Sequence, residues 1–361
     1  MQNKDKNVMT PLANRPRKPG APDDHGFRIS ADRPLALLGA CPAYRPTPLC
    51  EAPELAAGLG LARLWIKDET ARMRLGSFKA LGGAYAVAQM ILDRAGARDP
   101  DAPEARATAR AMTFVTASAG NHGLSVAAGA RVFGARAAIV LAENVPDAFA
   151  ARIRARGAEG IRAAGSYEDS VAEAMRLAET RGWLHLADGS WPGYTAPPAL
   201  VMEGYAVLAE ECRADLARGG DWPSHVLVQA GVGGLAAALA AHIRATWPRQ
   251  PEITVVEPEA APCLARSVEA GRLTTAAGPV SNMGRLDCKD ASLLAFESLR
   301  ATADAFVTVS DEAAADAARD LARAGLATTP SGAAGLAGLR ALGLPAGATA
   351  MIVVSEGPEE A

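Results

Sequence analysis

Gly76-Ser77-Phe78-Lys79-Ala80-Leu81-Gly82-Gly83 places a lysine where surface helices do not usually put one. Exposed helical lysines sit among other charges, whereas this one has Phe, Ala and Leu beside it and paired glycines after it. Ser77 is expected as the N-cap of a helix running through Tyr85, Ala86 and Val87 towards Leu92. Lys79 then falls in the first turn, where the positive helix end and apolar neighbours disfavour an ammonium. A lysine with a lowered pKa can form an imine with a carbonyl. The alternative is a lysine whose stem packs under its own helix.

Outward from this stretch, strands and helices alternate. Arg63-Leu64-Trp65-Ile66-Lys67 reads as the strand that feeds the lysine loop. Strands are also expected at 111–116, 137–141, 183–186, 226–229, 253–256, 305–309 and 350–354, most of them followed by a small-residue loop and a helix. Such alternation predicts an α/β protein of mostly parallel sheets covered by helices on both faces. Residues 94–110, charged and rich in Pro and Ala, read as a surface connection, and residues 1–30 as a flexible tail.

The chain has 361 residues, more than one ordinary core accommodates, and 49% of them are hydrophobic. A net charge of −3 gives no reason to expect a nucleic-acid or membrane-surface partner. No apolar run approaches a membrane span, and Met1-Gln2-Asn3-Lys4-Asp5-Lys6 lacks the apolar core of a leader. Cys41, Cys50, Cys212, Cys263 and Cys288 have no metal-ligand or redox spacing. They read as reduced thiols of a cytoplasmic protein with no metal site.

Open α/β sheets gather function in loops beyond the carboxyl ends of strands. Gly231-Val232-Gly233-Gly234 has glycines that let backbone N–H groups approach an anion, with a helix start aimed at the same place. It suits a phosphate, and equally a close-packed strand–helix turn. Ser118-Ala119-Gly120-Asn121-His122 opens another helix; its backbone donors suit a carboxylate, and Asn121 can serve a ring hydroxyl. A capping loop is the alternative there, with His122 as a packing residue. Ser355, at the end of the last strand, can bond a heterocyclic nitrogen or simply end a turn. Asp188-Gly189-Ser190-Trp191-Pro192-Gly193-Tyr194 is too rich in special residues for a plain linker. Imine lysine, phosphate cup, carboxylate loop and ring-nitrogen partner together describe a pyridoxal phosphate (PLP) site.

With these residues placed, residues 40–357 resemble the fold-type II PLP enzymes, the tryptophan synthase β-subunit and threonine dehydratase superfamily, and within it the diaminopropionate ammonia-lyases. The signatures are Leu-Gly-Ser-Phe-Lys-Ala-Leu-Gly-Gly around Lys79, Asp188-Gly-Ser-Trp-Pro-Gly-Tyr-Thr195, Met202-Glu-Gly-Tyr205, Val256-Glu-Pro258 and Ser355-Glu356-Gly357. The resemblance implies two domains, each an open mostly parallel sheet, with PLP in the cleft between them. The expected division is 31–85 with 195–361 as the larger, PLP-binding domain and 86–194 as the smaller. It implies PLP held by Lys79, Phe78, Asn121, Gly231, Val232, Gly233, Gly234 and Ser355. An amino-acid substrate would be met by Ser118, Ala119, Gly120, His122 and Tyr194, with Lys79 and Asp188 catalytic. The implied reaction is α,β-elimination on a small amino acid, by a homodimer. The family carries an aspartate before Gly-Asn-His, thought to serve one substrate enantiomer; here Ala119 stands there, as in threonine dehydratases. The segment between Ser281 and Leu294 also departs from the pattern. A dehydratase of serine, threonine or hydroxyaspartate is the rival reading, and a catalytically silent PLP-binding protein the remoter one.

Overall fold

The computed structural model describes residues 10–11 and 25–358. Its strands are β1 (Thr10–Pro11), β2 (Leu49–Glu51), β3 (Arg63–Asp68), β4 (Thr113–Ala117), β5 (Arg136–Leu141), β6 (Glu159–Arg162), β7 (Leu184–His185), β8 (His225–Gln229), β9 (Glu252–Pro258), β10 (Ala305–Val309) and β11 (Thr349–Val354). They form a seven-stranded sheet in the order β1-β10-β9-β8-β11-β3-β2 and a four-stranded sheet in the order β6-β5-β4-β7. All pairings in the smaller sheet are parallel. In the larger sheet only the outermost pairs, β1 on β10 and β2 on β3, are antiparallel. Central strands such as Thr113–Ala117 are buried along their whole length, because helices cover both faces. That double cover is why these strands read as continuous apolar runs rather than alternating ones.

One apolar core joins the two sheets. It contains Leu81 and Tyr85 from the helix Lys79–Ala95, Phe114 and Ile139 from the smaller sheet, and Val226 and Val255 from the larger. The glycines after Lys79 make this packing possible. A Cβ on Gly82 would lie 2.5 Å from the Tyr205 ring, and one on Gly83 would lie 2.0 Å from Ser125 Oγ. The lysine helix is therefore seated directly against the helices Ala196–Gly219 and Asn121–Phe133, so that its first turn is held rigidly.

Two expectations change on folding. The stretch 94–110 contains the helix Pro103–Ala111, started by Pro at its first turn and anchored by the buried Ala105 and Ala109. Most of the expected tail over residues 1–30 lies outside the described residues. Where it is described it is held: Thr10–Pro11 pairs with β10, and His25 is buried with its Nδ1 3.1 Å from Ser298 Oγ.

The loop that carries the lysine is fixed by a buried network. Lys67 Nζ donates to Thr47 O and to Glu211 Oε2, both at 2.7 Å. Arg72 bonds Glu69 through two nitrogens at 2.7 Å and Glu211 at 2.7 and 2.8 Å, and Tyr44 donates to Glu211 at 2.9 Å. Two cations meet two carboxylates, so the buried charge is balanced. The network joins β3, the lysine loop, the 44–47 segment and the helix Ala196–Gly219. Right beside it, Met73 and Arg74 take positive φ values of 48° and 57°, a backbone that side chains resist and the surrounding bonds enforce.

Burial alone would raise the Glu211 carboxyl, but Arg72 and Lys67 hold it below its usual range. Its stabilising effect is thus full above the unfolded pKa of about 4.3 and is lost as pH falls through the lower folded value. Glu211→Ala should lower unfolding stability by about 3–5 kcal/mol near pH 7, because it strands two buried cations on one carboxylate. The gap to the parent should narrow below about pH 4. A urea-unfolding difference under about 1 kcal/mol would reduce the network to the worth of a surface pair.

Candidate active site

β3, β11 and β8 are neighbours in the larger sheet, and the loops beyond their carboxyl ends deliver Lys79, Ser355 and Gly231–Gly234. β4 and β7 are neighbours in the smaller sheet and deliver Ser118–Asn121 and Asp188 in the same way. The loops are stitched together by backbone. Phe78 N donates to Ser355 O at 3.2 Å, Gly357 N donates to Gly76 O at 2.9 Å, and Ser77 forms a bridge with Glu356. Asn121 Nδ2 donates to Glu356 Oε2, which ties the smaller sheet to the end of β11.

Lys79 starts its helix as expected, though Phe78 holds the N-cap position and Ser77 Oγ accepts from Lys79 N at 3.3 Å. The Lys79 ammonium is paired with Asp188 Oδ2. Both side chains keep about a fifth of their surface, 20% and 23%, so the pair is recessed yet reached from outside. Nζ also lies 5.3 Å from the centre of the Phe78 ring and 5.8 Å from that of Tyr205. The expectation of a lowered lysine pKa is corrected here. Burial does act in that direction, but the Asp188 carboxylate outweighs it and raises the lysine well above its ordinary value. Burial would in turn raise Asp188, and the Lys79 ammonium holds it well below the usual carboxylate range.

The loop around Asp188 is built by its aromatic residues. Tyr194 donates to His185 O at 2.8 Å and accepts from Ala187 N at 3.1 Å, while its ring stacks on Trp191 at 4.3 Å. Its hydroxyl is thereby used in the loop, and the expected substrate contact of Tyr194 is corrected to a bracing one. Ser190, buried, shares a 2.7 Å bond with Ser292 and pins the loop's other side. His122 is buried too, with Nε2 2.8 Å from Leu186 O, and burial lowers its pKa and keeps it neutral. His122 therefore braces β7 against the asparagine loop instead of offering a cation to substrate. Ser118 Oγ accepts from Gly120 N at 3.2 Å and Gly123 N at 3.1 Å, capping that loop, while Ala119 is exposed at its tip.

The glycine loop follows β8 and opens the helix Gly234–Thr246. Gly233 has φ +100°, and a Cβ there would lie 2.8 Å from both Ala295 and Leu264. Replacing Gly233 would thus disturb the fold itself, which makes it unsuitable for testing phosphate contact alone. A Cβ on Gly231 would meet Cys288 Sγ at 2.9 Å, and Ser292 N donates to Val232 O at 3.0 Å. The 281–294 segment, which departs from the family pattern, therefore forms one wall of the cup. Its Arg285 reaches the asparagine loop: a Cβ on Gly120 would lie 3.4 Å from the Arg285 stem.

Sequence reasoning missed five residues of this neighbourhood. Glu356 accepts from Asn121 and from Thr329 Oγ1, and Tyr205 lies beneath Lys79. Gln229 bonds Ser355 Oγ at 3.1 Å, and Cys288 and Arg285 border the glycine and asparagine loops. Glu356 and Tyr205 stand inside quoted signatures, so a signal existed for them. Gln229 is a polar residue closing an apolar strand, which is also a signal. Cys288 and Arg285 carried none, since only folding brings the 285–288 segment to the loops.

The model of the family described as pyridoxal-phosphate dependent enzyme matches residues 40–356. Diaminopropionate ammonia-lyase of Escherichia coli strain K12 is 36% identical over 278 residues, covering 75% of this chain and 70% of the relative. The crystal structure of the Escherichia coli enzyme in complex with an aminoacrylate–PLP azomethine reaction intermediate superposes with a TM-score of 0.86. It is 30% identical and covers 97% of this chain and 93% of that one. The crystal structure of T.th. threonine deaminase superposes with a TM-score of 0.76 at 30% identity, covering 92% of this chain and 99% of that one.

Proposed function

The chain belongs to the pyridoxal-phosphate dependent enzymes, and on that premise we propose that it eliminates ammonia from 2,3-diaminopropionate, yielding pyruvate and ammonia. The observation that carries this reading is the Asp188–Lys79 pair, a carboxylate held ionised and within reach of solvent beside the lysine. A fixed carboxylate suits the cationic β-amino group of that substrate, which serine and threonine lack. The ammonia-lyase relative, matched over most of both chains, supports the same choice.

The residues present fit PLP. Gly231 and Gly233 leave no room for a side chain, and the loop they belong to begins a helix, which suits the phosphate. Lys79 lies beside Phe78, whose backbone N–H donates to the carbonyl of Ser355, so one hydrogen bond keeps close together the two residues that would anchor PLP and meet its ring nitrogen. Asn121, held by Glu356, would face the ring hydroxyl. When bound, PLP supplies an electron sink for charge developing at the substrate Cα.

The chain's own groups do the rest. The first-turn N–H groups of the helix Asn121–Phe133 and the Ser118 loop would take the substrate carboxylate. Asp188 orients the β-amino group. Lys79 or Asp188 would take the Cα proton as general base, and the β-ammonium, already protonated, leaves as neutral ammonia with the electron pair of its Cβ–N bond. Tyr194 and Trp191 keep that carboxylate from swinging away. A dehydratase is the second reading, favoured by Ala119, which leaves the loop tip without an acid. We carry a cytoplasmic homodimer as part of the proposal; the five free cysteines suit a reducing compartment.

The test is a panel of amino acids differing in their β-leaving group, read by 2-oxo-acid and ammonia release. Diaminopropionate should exceed serine and threonine in kcat/KM by at least about tenfold, the worth of one charge-assisted contact. Preference for a β-hydroxy substrate would overturn the ammonia-lyase reading in favour of a dehydratase. No turnover with PLP bound would overturn both.

A further inference from the structure

Gln229 closes β8 one strand away from Ser355 and is buried, with 2% of its surface exposed. Its Nε2 lies 3.0 Å from Val353 O, 3.1 Å from Gly332 O and 3.1 Å from Ser355 Oγ, with Ser331 O further off at 3.4 Å. Three carbonyl oxygens around one amide atom fix which way the amide faces: turned over, its Oε1 would confront three other acceptors. Oε1 instead lies under the helix Pro330–Leu342, where Gly335 makes room for it; a Cβ there would come within 3.3 Å.

An amide NH2 donates and has no lone pair to accept. Ser355 Oγ can therefore only accept from Gln229, and its own proton has to point elsewhere. Oε1 does not take it, being buried without a hydrogen-bond partner. We propose that Gln229 is a positioning residue: it fixes Ser355 as a hydrogen-bond donor towards the cofactor's pyridine nitrogen, so that this nitrogen is held as an unprotonated acceptor. The inference rests on the PLP reading above. It adds that the serine's polarity is imposed by a residue which touches neither cofactor nor substrate. An unprotonated ring withdraws electrons less strongly, which favours prompt loss of a β-leaving group over reprotonation chemistry at the cofactor.

The experiment loads the protein with PLP labelled with 15N in the ring and records the nitrogen chemical shift of the holoenzyme, a readout independent of turnover. The parent should show the unprotonated value. In Gln229→Met, Ser355 is freed to donate to Gly332 O or Val353 O and to accept from the ring, so the protonated fraction should rise about tenfold, the effect of one pKa unit. An unchanged shift in Gln229→Met with PLP still bound overturns the role of Gln229. A protonated ring in the parent overturns it as well. Ser355→Ala separates the underlying reading: if removing the hydroxyl leaves the parent shift untouched, Ser355 does not face the ring, and it is the cofactor placement that fails. Should Gln229→Met not fold, neutron diffraction from parent holoenzyme crystals decides. Density for the hydroxyl deuterium directed at the ring nitrogen supports the proposal; density on the ring nitrogen itself, directed at Ser355, overturns it.

Discussion

Lys79→Ala should reduce turnover by about four orders of magnitude or more, the scale seen when a covalent group is removed from a machinery that acts as a unit. Two properties should change with it. Borohydride should fix a pyridoxyl group on the peptide containing Lys79 in the parent and on no lysine in the variant. Asp188, relieved of its cation but still recessed, should titrate upwards, because burial is the largest influence on it and the lysine is the largest of those that oppose burial. The fold should survive, since Lys79 is partly exposed and its helix is held by the glycine contacts at Gly82 and Gly83. A pyridoxyl group mapped to any other lysine would remove Lys79 from the centre of the site.

Asp188→Asn should lower diaminopropionate turnover by at least about a hundredfold, the usual worth of a general base, and leave melting temperature nearly unchanged. The substitution keeps shape and hydrogen bonding and removes charge and basicity. The pair also controls access to the free lysine. In the parent, Asp188 raises the Lys79 pKa, so the amine form that reacts with a carbonyl is scarce near neutrality and grows as pH rises. In the variant that support is gone and burial lowers the lysine. PLP loading of the free protein should then be faster at neutral pH and flatter with pH. A variant that retains full turnover, or that loses it only by unfolding, would return Asp188 to a loop-bracing role and favour the dehydratase reading.

These two predictions concern residues the sequence made visible, and the reasons differ for the rest. The alternation of apolar runs with small-residue loops was enough to read parallel sheets, because strands covered on both faces have no polar side to disguise them. Lys79, the Gly231–Gly234 turn, Asn121 and Ser355 were legible because each stands where a strand ends, and a parallel fold brings those ends together whatever the intervening helices contain. Protonation and polarity were not legible. The lysine's apolar neighbours pointed to a lowered pKa, yet a carboxylate 109 positions away in sequence reverses it. The resemblance implied a substrate contact for Tyr194, but folding gives its hydroxyl to backbone groups beside its own loop, and His122, which the residues alone read as packing, is buried against Leu186 O. Arg285 and Cys288 reach the site from a segment whose sequence carried no chemical pattern. Local residues determine where the chain turns and which backbone can approach an anion, because those effects act over a few bonds. The charge state of a buried group and the direction of a hydroxyl proton depend on atoms within a few ångströms in space, and only the tertiary structure decides which atoms those are.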